Sequence, residues 1–328
     1  MKKKVLIIAM ALLLVCCAGC SQPVPVTPDR PKTDLFEAQV NSVNRTFIAE
    51  NDQFTYVYLN QALAEIDRET DGVVMYPDIS LMNLIVLGDG RIISEATDYT
   101  EDMQVSRIIA DDLYGKQDVL YEFKDGFVIS QVLIDDFLYS YLNNMELVRT
   151  DLHSGKSDTV LTTERLAMHM LIDETGVWYS DDLGLYFQSW EAGEADCVVD
   201  ELAGYFQKNG HCVFFLIHGK PGIFVYDTDT GKYDLACDRD ADLFVMTEDE
   251  KSVYTVEENW RTLYRVDPAT GQALNLALPC GFVSDFNIVN GQVYVLGYDR
   301  AVSSTDFDQY HVFRIEGDEL CPVINEEG

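Results

Sequence analysis

Seven times along this 328-residue chain a strand-like run ends in a tight turn marked by glycine, and a second strand-like run follows. The turn glycines are Gly72, Gly115, Gly155, Gly193, Gly231, Gly271 and Gly317, spaced 43, 40, 38, 38, 40 and 46 residues apart. A period near 40 with four short strands per repeat is the mark of a β-propeller, because a single four-stranded unit cannot bury both faces and must stack on its neighbours.

The clearest copies are Leu147-Val-Arg-Thr-Asp151-Leu-His-Ser-Gly155, Ile223-Phe-Val-Tyr-Asp227-Thr-Asp-Thr-Gly231 and Leu263-Tyr-Arg-Val-Asp267-Pro-Ala-Thr-Gly271. Aspartate suits the turn start because its carboxylate accepts nearby backbone N–H groups, and glycine suits the end because it takes positive φ without a Cβ penalty. Asp111 and Gly115 keep the spacing; Gly72 and Gly317 are weaker copies, and Gly193 has Ser189 at the aspartate position. About 20 residues before each glycine lies another short turn: Asn51-Asp52, Asp89-Gly90, Asp135-Asp136, Thr175-Gly176, Asn209-Gly210, Asp249-Glu250 and Asn290-Gly291. Several are the pairs favoured in two-residue hairpins. The earlier turn of each period joins strands A and B, the later one C and D. The expected fold is therefore all-β: a seven-bladed β-propeller with four antiparallel strands per blade, over about 44–325. Blade 1 supplies its own A strand near 45–50, and blade 7 its own D strand near 320–324. The ring then closes by blade packing alone, or residues 36–43 add a clasp on the outer edge of blade 7.

The N-terminus carries an address. Lys2, Lys3 and Lys4 precede an apolar run over 5–15, too short to span a bilayer, which takes about 20 residues. Cys17-Ala-Gly-Cys20 resembles the bacterial lipobox, with Cys17 where leucine is usual. The resemblance implies cleavage before Cys20 and lipid on that cysteine; plain secretion is the alternative. The organisation expected is a signal peptide over 1–19, a tether over 20–36 containing Pro23, Pro25, Pro28 and Pro31, and the propeller over 37–328. The protein is expected on the extracytoplasmic face of the cell membrane, anchored by lipid.

A formal net charge of −33 repels phosphate backbones, so no nucleic-acid partner is expected. The same surface attracts cations, basic proteins and polyamines, or it serves to keep an exported domain soluble and monomeric. Beyond Cys20 the cysteines are Cys197, Cys212, Cys237, Cys280 and Cys321. An odd set without CxxC spacing gives neither a zinc site nor a disulfide framework, and buried free thiols are expected.

Motifs for chemistry are sparse. Ser154-Gly155-Lys156-Ser157 ends like a phosphate loop but has Thr150 where that loop needs glycine, so it reads as one more hairpin. Neither a Gly-x-Ser-x-Gly elbow nor a His-Glu-x-x-His pair occurs, and His153, His169, His211, His218 and His311 fall in unrelated parts of the repeat. Asp238, Asp240 and Asp242 imitate the opening of an EF-hand loop, but Leu243 and Asp249 stand where it needs glycine and glutamate. A looser Ca²⁺ site or a solvated acidic connector are the readings left open.

Position in the repeat says more. B–C loops and D–A connectors share one face, where ligands gather round the channel mouth. Trp260 and Arg261 lie in the B–C loop of blade 6, Tyr298 and Asp299 open that of blade 7, and Arg165 and Tyr205 lie on connectors. Aromatics and arginine on exposed loops suit sugar stacking or protein hot spots. These six are the candidate ligand-binding residues.

The Leu263-Tyr-Arg-Val-Asp267 segment resembles the low-density-lipoprotein-receptor-like (YWTD-type) propeller of Firmicute lipoproteins, and more weakly the pyrroloquinoline-quinone-type repeat. The latter places a docking tryptophan beyond Thr-Gly; Gln272-Ala-Leu-Asn-Leu276 has none. The first resemblance implies architecture and lipoprotein status. The function expected is a membrane-anchored binding or scaffold lipoprotein engaging a protein or glycan through the B–C/D–A face, without catalysis. The alternative is an extracytoplasmic glycosidase or lyase on the same scaffold.

Overall fold

The computed structural model describes residues 35–59, 61–79, 81–99, 104–191, 194–299 and 309–324. Among the described residues, twenty-eight strands form seven antiparallel sheets of four, each from four consecutive strands. Blade 1 runs through Ile48–Glu50, Phe54–Tyr58, Ala62–Asp67 and Val73–Pro77. Blade 7 runs through Phe282–Val289, Gln292–Tyr298, Tyr310–Glu316 and Glu319–Pro322. The seven-bladed propeller is the fold that the repeat predicts.

The C–D turns show why the repeat is legible. Asp151, Asp227 and Asp267 each accept two backbone N–H groups through Oδ1, from residues two and three further on. Hydrogen bonds from the Ser154 and Thr270 side chains, and then those backbone donors, hold Asp151 and Asp267 below the ordinary carboxylate range, and the Thr230 N–H leads in doing the same for Asp227. Gly155, Gly231 and Gly271 close the turns with φ of 66°, 66° and 70°. Blade 1 builds the same turn one residue earlier than Gly72. Asp67 caps Glu69 and Thr70, Asp71 N–H reaches the Asp67 carbonyl, and Asp71 itself takes φ 56°.

Burial falls from channel to rim. The inner strand Leu243–Met246 is buried throughout, whereas the outer strand Lys232–Cys237 of blade 5 is mostly exposed. Facing blades interlock through side chains such as Leu243, Val245 and Val256 against Phe286, Val295 and Phe313. Burial of this kind, at about 25 cal/mol per Å² of apolar surface, is what holds the blades face to face. The outer position of several cysteines corrects one expectation. All five are unpaired, but Cys197 is exposed and the others are half-buried. Burial pushes the Cys280 thiol up to about 11.

The ring closes without a clasp, since the sheet of blade 7 ends on its own strand Glu319–Pro322. The seam is instead stitched by an amide. Asn287, fully buried on the inner strand of blade 7, accepts the N–H groups of Phe47 (2.7 Å) and Ile48 (3.2 Å) and donates to the Arg45 carbonyl. The same device recurs between blades 5 and 6. There Gln207 Nε2 donates to the Met246 carbonyl and its Oε1 accepts Met246 N–H. Inner strands are open sheet edges whose backbone groups need partners, and buried amides provide them.

Residues 35–43 form neither clasp nor strand. They are a helix, α1 (Leu35–Val43), lying in the central channel against the inner strands of blades 3, 4, 5 and 7. Its buried polar side chains bond to those strand edges: Gln39 Nε2 to the Ile172 carbonyl, and Asn41 to both the carbonyl and the N–H of Ile288. Glu37 accepts N–H groups from Asn290 and Gly291, in an A–B turn. Val43 lies at the opposite face, so α1 rises through the ring and ends at the mouth. On the side of blades 1 and 2, which it does not fill, a second cavity of about 550 Å³ remains, lined in part by Glu37, Asn41, Arg68 and Asn290.

Candidate functional site at the channel mouth

Because α1 blocks the channel, the mouth on the B–C/D–A face is a blind pocket of about 600 Å³. The helix end supplies its floor through Ser42, Val43 and Arg45. Its walls come from the first residues of the inner strands and from two B–C positions, Trp260 and Tyr298.

Three inner strands are irregular at this end. In blade 3 the register skips between Tyr141 and Leu142, leaving Ile129 as the extra residue opposite them. In blade 5 it skips between Ala203 and Phe206, and in blade 7 between Val283 and Asp285. A β-bulge kinks a strand and re-aims the side chain beside it. The residues so treated, Ile129 with Ser130, Tyr205, and Ser284 with Asp285, all line the mouth.

Trp260 is held by a different irregularity. Glu258, Asn259 and Trp260 have φ of 57°, 60° and 68°, a left-handed turn of three consecutive side-chain-bearing residues. Each such residue costs about 1–2 kcal/mol, so the surroundings must impose the conformation. They do so through the acidic connector between blades 5 and 6. Asp242 Oδ2 accepts Trp260 N–H (3.0 Å), and Arg239 forms an ion pair with Glu257 at the foot of the turn. Val283 N–H then bonds the Trp260 carbonyl (2.8 Å). Replacing Trp260 with glycine is therefore expected to leave the protein about 1 kcal/mol more stable than replacing it with alanine, because glycine alone is at ease at this φ. Urea midpoints of the two variants check this, and an alanine variant equal to or above the glycine one would contradict the strain.

The rings of blades 4 to 6 form an arc. His169 lies tilted against Tyr205 at 4.7 Å, and Tyr205 meets Trp260 edge-on at 6.2 Å. His169 is driven below its ordinary pKa by burial, opposed by a hydrogen bond to the Val43 carbonyl, so it is neutral at pH 7. Tyr298 continues the wall in blade 7, stacked at 5.1 Å on Phe282. Burial raises the Tyr205 hydroxyl first and the Asp285 charge second. Asp285 is 7% exposed. Burial pushes its carboxyl up to about 7, against a hydrogen bond from Ser284 Oγ and the field of Arg45.

Of the residues singled out from sequence, Trp260, Tyr205 and Tyr298 meet at this mouth. Arg261 is exposed, with its guanidinium 4.9 Å over the Phe282 ring, and Arg165 pairs with Asp182. Asp299 pairs with His311 at 3.2 Å. None of these three lines the pocket. Cys20 and 300–308 of the long blade 7 loop lie outside the described residues. Asp285 and Arg45 are not singled out by the sequence, and His169 reads there as one of five scattered histidines, because the closed ring alone brings the three to Trp260.

Asp238, Asp240 and Asp242 do not converge as ligands. Asp242 holds the Trp260 turn and Asp240 accepts the Ala241 N–H, so the stretch is a structural connector. Among the described residues, the one trio whose ligand atoms lie within 4.8 Å of each other is His211, Asp227 and Asp229. It sits on the opposite face, and Asp227 already caps its turn.

The fold and site define a seven-bladed propeller whose plugged channel opens as a pocket on one face. No protein-family model and no curated protein sequence matches the chain. Solved structures share its architecture. The computationally designed Ika8 protein aligns with a TM-score of 0.52 at 12% identity, over 90% of this chain and 100% of its own. An oligogalacturonate lyase in complex with manganese aligns at 0.51 and 10%, over 84% and 93%. PorZ, a bacterial surface component of the type-IX secretion system of Porphyromonas gingivalis, aligns at 0.54 and 12%. The match spans 87% of this chain but 39% of PorZ. At these identities the likeness is one of fold.

Proposed function

We propose that the protein is an extracytoplasmic binding propeller, lipid-anchored through Cys20, that takes its protein or glycan ligand in the mouth. The observation that carries this reading is the concentration of irregular backbone there. Three strand bulges and a left-handed turn bring Tyr205, Trp260 and Asp285 to one blind pocket. Strain of this kind persists where it serves a site. Leu166, Met168 and Leu183 lie exposed on D–A and B–C segments of the same face, which suits contact with a partner. The likeness to low-density-lipoprotein-receptor-like propeller lipoproteins fits an anchored binding role. Glycoside hydrolysis fits less well, since it takes two carboxyls, and Asp285 is the one carboxylate among the described residues lining the mouth.

Position-specific photocrosslinking in cells tests the reading. A crosslinker at Met168 or Leu183 is expected to capture ligand, and one at Val74 or Tyr233 on outer strands is not. Capture should fall when Trp260→Ala is added, and Cys20→Ser should release the protein from membranes. Equal capture from outer strands and mouth would overturn the proposed site.

A further inference from the structure

We propose that the mouth receives an alkylammonium group, such as a lysine side chain or the end of a polyamine, with Asp285 as its counter-ion and the Trp260–Tyr205 wall against its stem. This deepens the binding reading above and rests on it. Four observations converge on a cation.

The first is the state of Asp285. It is more than nine-tenths buried, lines the cavity, accepts a hydrogen bond from its neighbour Ser284 (2.5 Å), and forms no ion pair among the described residues. A buried carboxylate without a counter-ion is costly, and an incoming ammonium relieves that cost. The second is the ring wall. Trp260, Tyr205 and Tyr298 offer aromatic surface, whose faces attract cations and whose area suits a methylene stem. The third is the floor, where the C-terminal end of α1 presents the negative end of its dipole through Ser42 and Val43. The fourth is the far field, a chain of formal charge −33, which raises the local concentration of any cation.

The resident positive charge does not cancel these. Arg45 lines the mouth, but its guanidinium lies over the Tyr58 ring at 5.4 Å and stands in no salt bridge with Asp285. His169 is neutral and already hydrogen-bonded to Val43. The groups that feel the Asp285 charge are Arg45, Tyr205, Tyr298 and Tyr310. The three tyrosines are all raised, so they stay neutral when Asp285 ionises near pH 7. An ammonium pairs with the ionised carboxylate, so affinity rises with pH through that range.

Calorimetric titration of the intact protein with n-butylammonium, spermidine, N-acetyl-lysine methylamide and an oligogalacturonate decides the matter. The amines are expected to bind about tenfold more tightly at pH 8 than at pH 6, following the ionised fraction of a carboxyl near 7. Asp285→Asn should abolish that pH dependence and weaken binding at pH 8 by about tenfold, while Trp260→Ala weakens it at both pH values. Preference for the lysine derivative over spermidine identifies a protein side chain as the source, and the reverse a free polyamine. Amine binding unchanged in Asp285→Asn would mean attraction to the acidic surface and would overturn the proposal. Oligogalacturonate binding lost in Trp260→Ala but kept in Asp285→Asn, with no amine bound, would overturn it and leave the mouth as the site. Because Asp285→Asn changes a core position, the pH profile of the unmodified protein stands as a test independent of that variant's folding.

Discussion

Asn287→Leu is expected to lose about 3–9 kcal/mol of stability, since each buried backbone group stripped of its partner costs about 1–3 kcal/mol. Two N–H groups, those of Phe47 and Ile48, and the Arg45 carbonyl depend on this one side chain. Leucine fills a similar volume, so the loss isolates the hydrogen bonds from packing. Against a total stability of about 5–15 kcal/mol for a typical domain, the change is large. Gln207→Leu provides the comparison. It removes a buried pair of bonds to Met246 in the same way, but blades 5 and 6 are also joined by the chain itself. Blades 7 and 1 have no such joint. Urea denaturation should therefore show the larger loss for Asn287→Leu, with a broader transition as the seam opens before the rest. A loss below 1 kcal/mol, or one no greater than that of Gln207→Leu, would show that blade packing alone holds the ring.

The second large effect is a gain. Asp285→Asn is expected to stabilise the ligand-free protein at pH 8 and to leave it unchanged at pH 4. With the folded carboxyl near 7 and the unfolded one near 3.8, the unfolded chain releases its proton first as pH rises. The folded state then binds more protons, so stability falls between about pH 4 and 7 and stays low above. At 1.36 kcal/mol per pKa unit the full cost is up to about 4 kcal/mol, which asparagine escapes. The turn carboxylates Asp67, Asp151, Asp227 and Asp267 act with the opposite sign, being held below their ordinary values. Their contribution is present above pH 4 and lost in acid, equally in both proteins, so it cancels. Urea midpoints at the two pH values give the answer. Equal stability at pH 8 would mean that water reaches the carboxyl more freely than its burial implies. A group that destabilises its own fold and lines a pocket belongs to function rather than architecture.

The blades were legible because their turns are local chemistry. Asp151 and Gly155 sit four residues apart and need nothing beyond that stretch to form their turn. Even so, Asp71 occupies the left-handed place in blade 1 that the sequence seemed to give to Gly72, since aspartate tolerates that region too. The plug helix was not legible. Phe36, Val40 and Val43 make a thin apolar stripe, and Gln39, Asn41 and Ser42 read as solvated positions. Gln39 and Asn41 are buried because strands more than 130 residues away offer them backbone partners, while Ser42 donates to the Gln39 carbonyl within the helix. The site divided in the same way. Trp260, Tyr205 and Tyr298 announced themselves as aromatics near loops, whereas Asp285 sits beside a bulge of which its strand sequence gives no sign, and His169 opens a regular inner strand.

The plug also sets the mechanics of the molecule. α1 enters from the A–B face, where Glu37 engages Asn290 and Gly291, and ends beneath the mouth. Tension applied through residues before Leu35 pulls along the helix axis, away from the pocket. Such a load falls first on the Glu37 bonds to the blade 7 turn, then on the amide bonds that tie Gln39 and Asn41 to the inner strands of blades 4 and 7. Drawing the plug downward would take Ser42 and Val43 out of the pocket floor. Traction at the base of the molecule and occupancy at its crown are thus tied to one nine-residue piston.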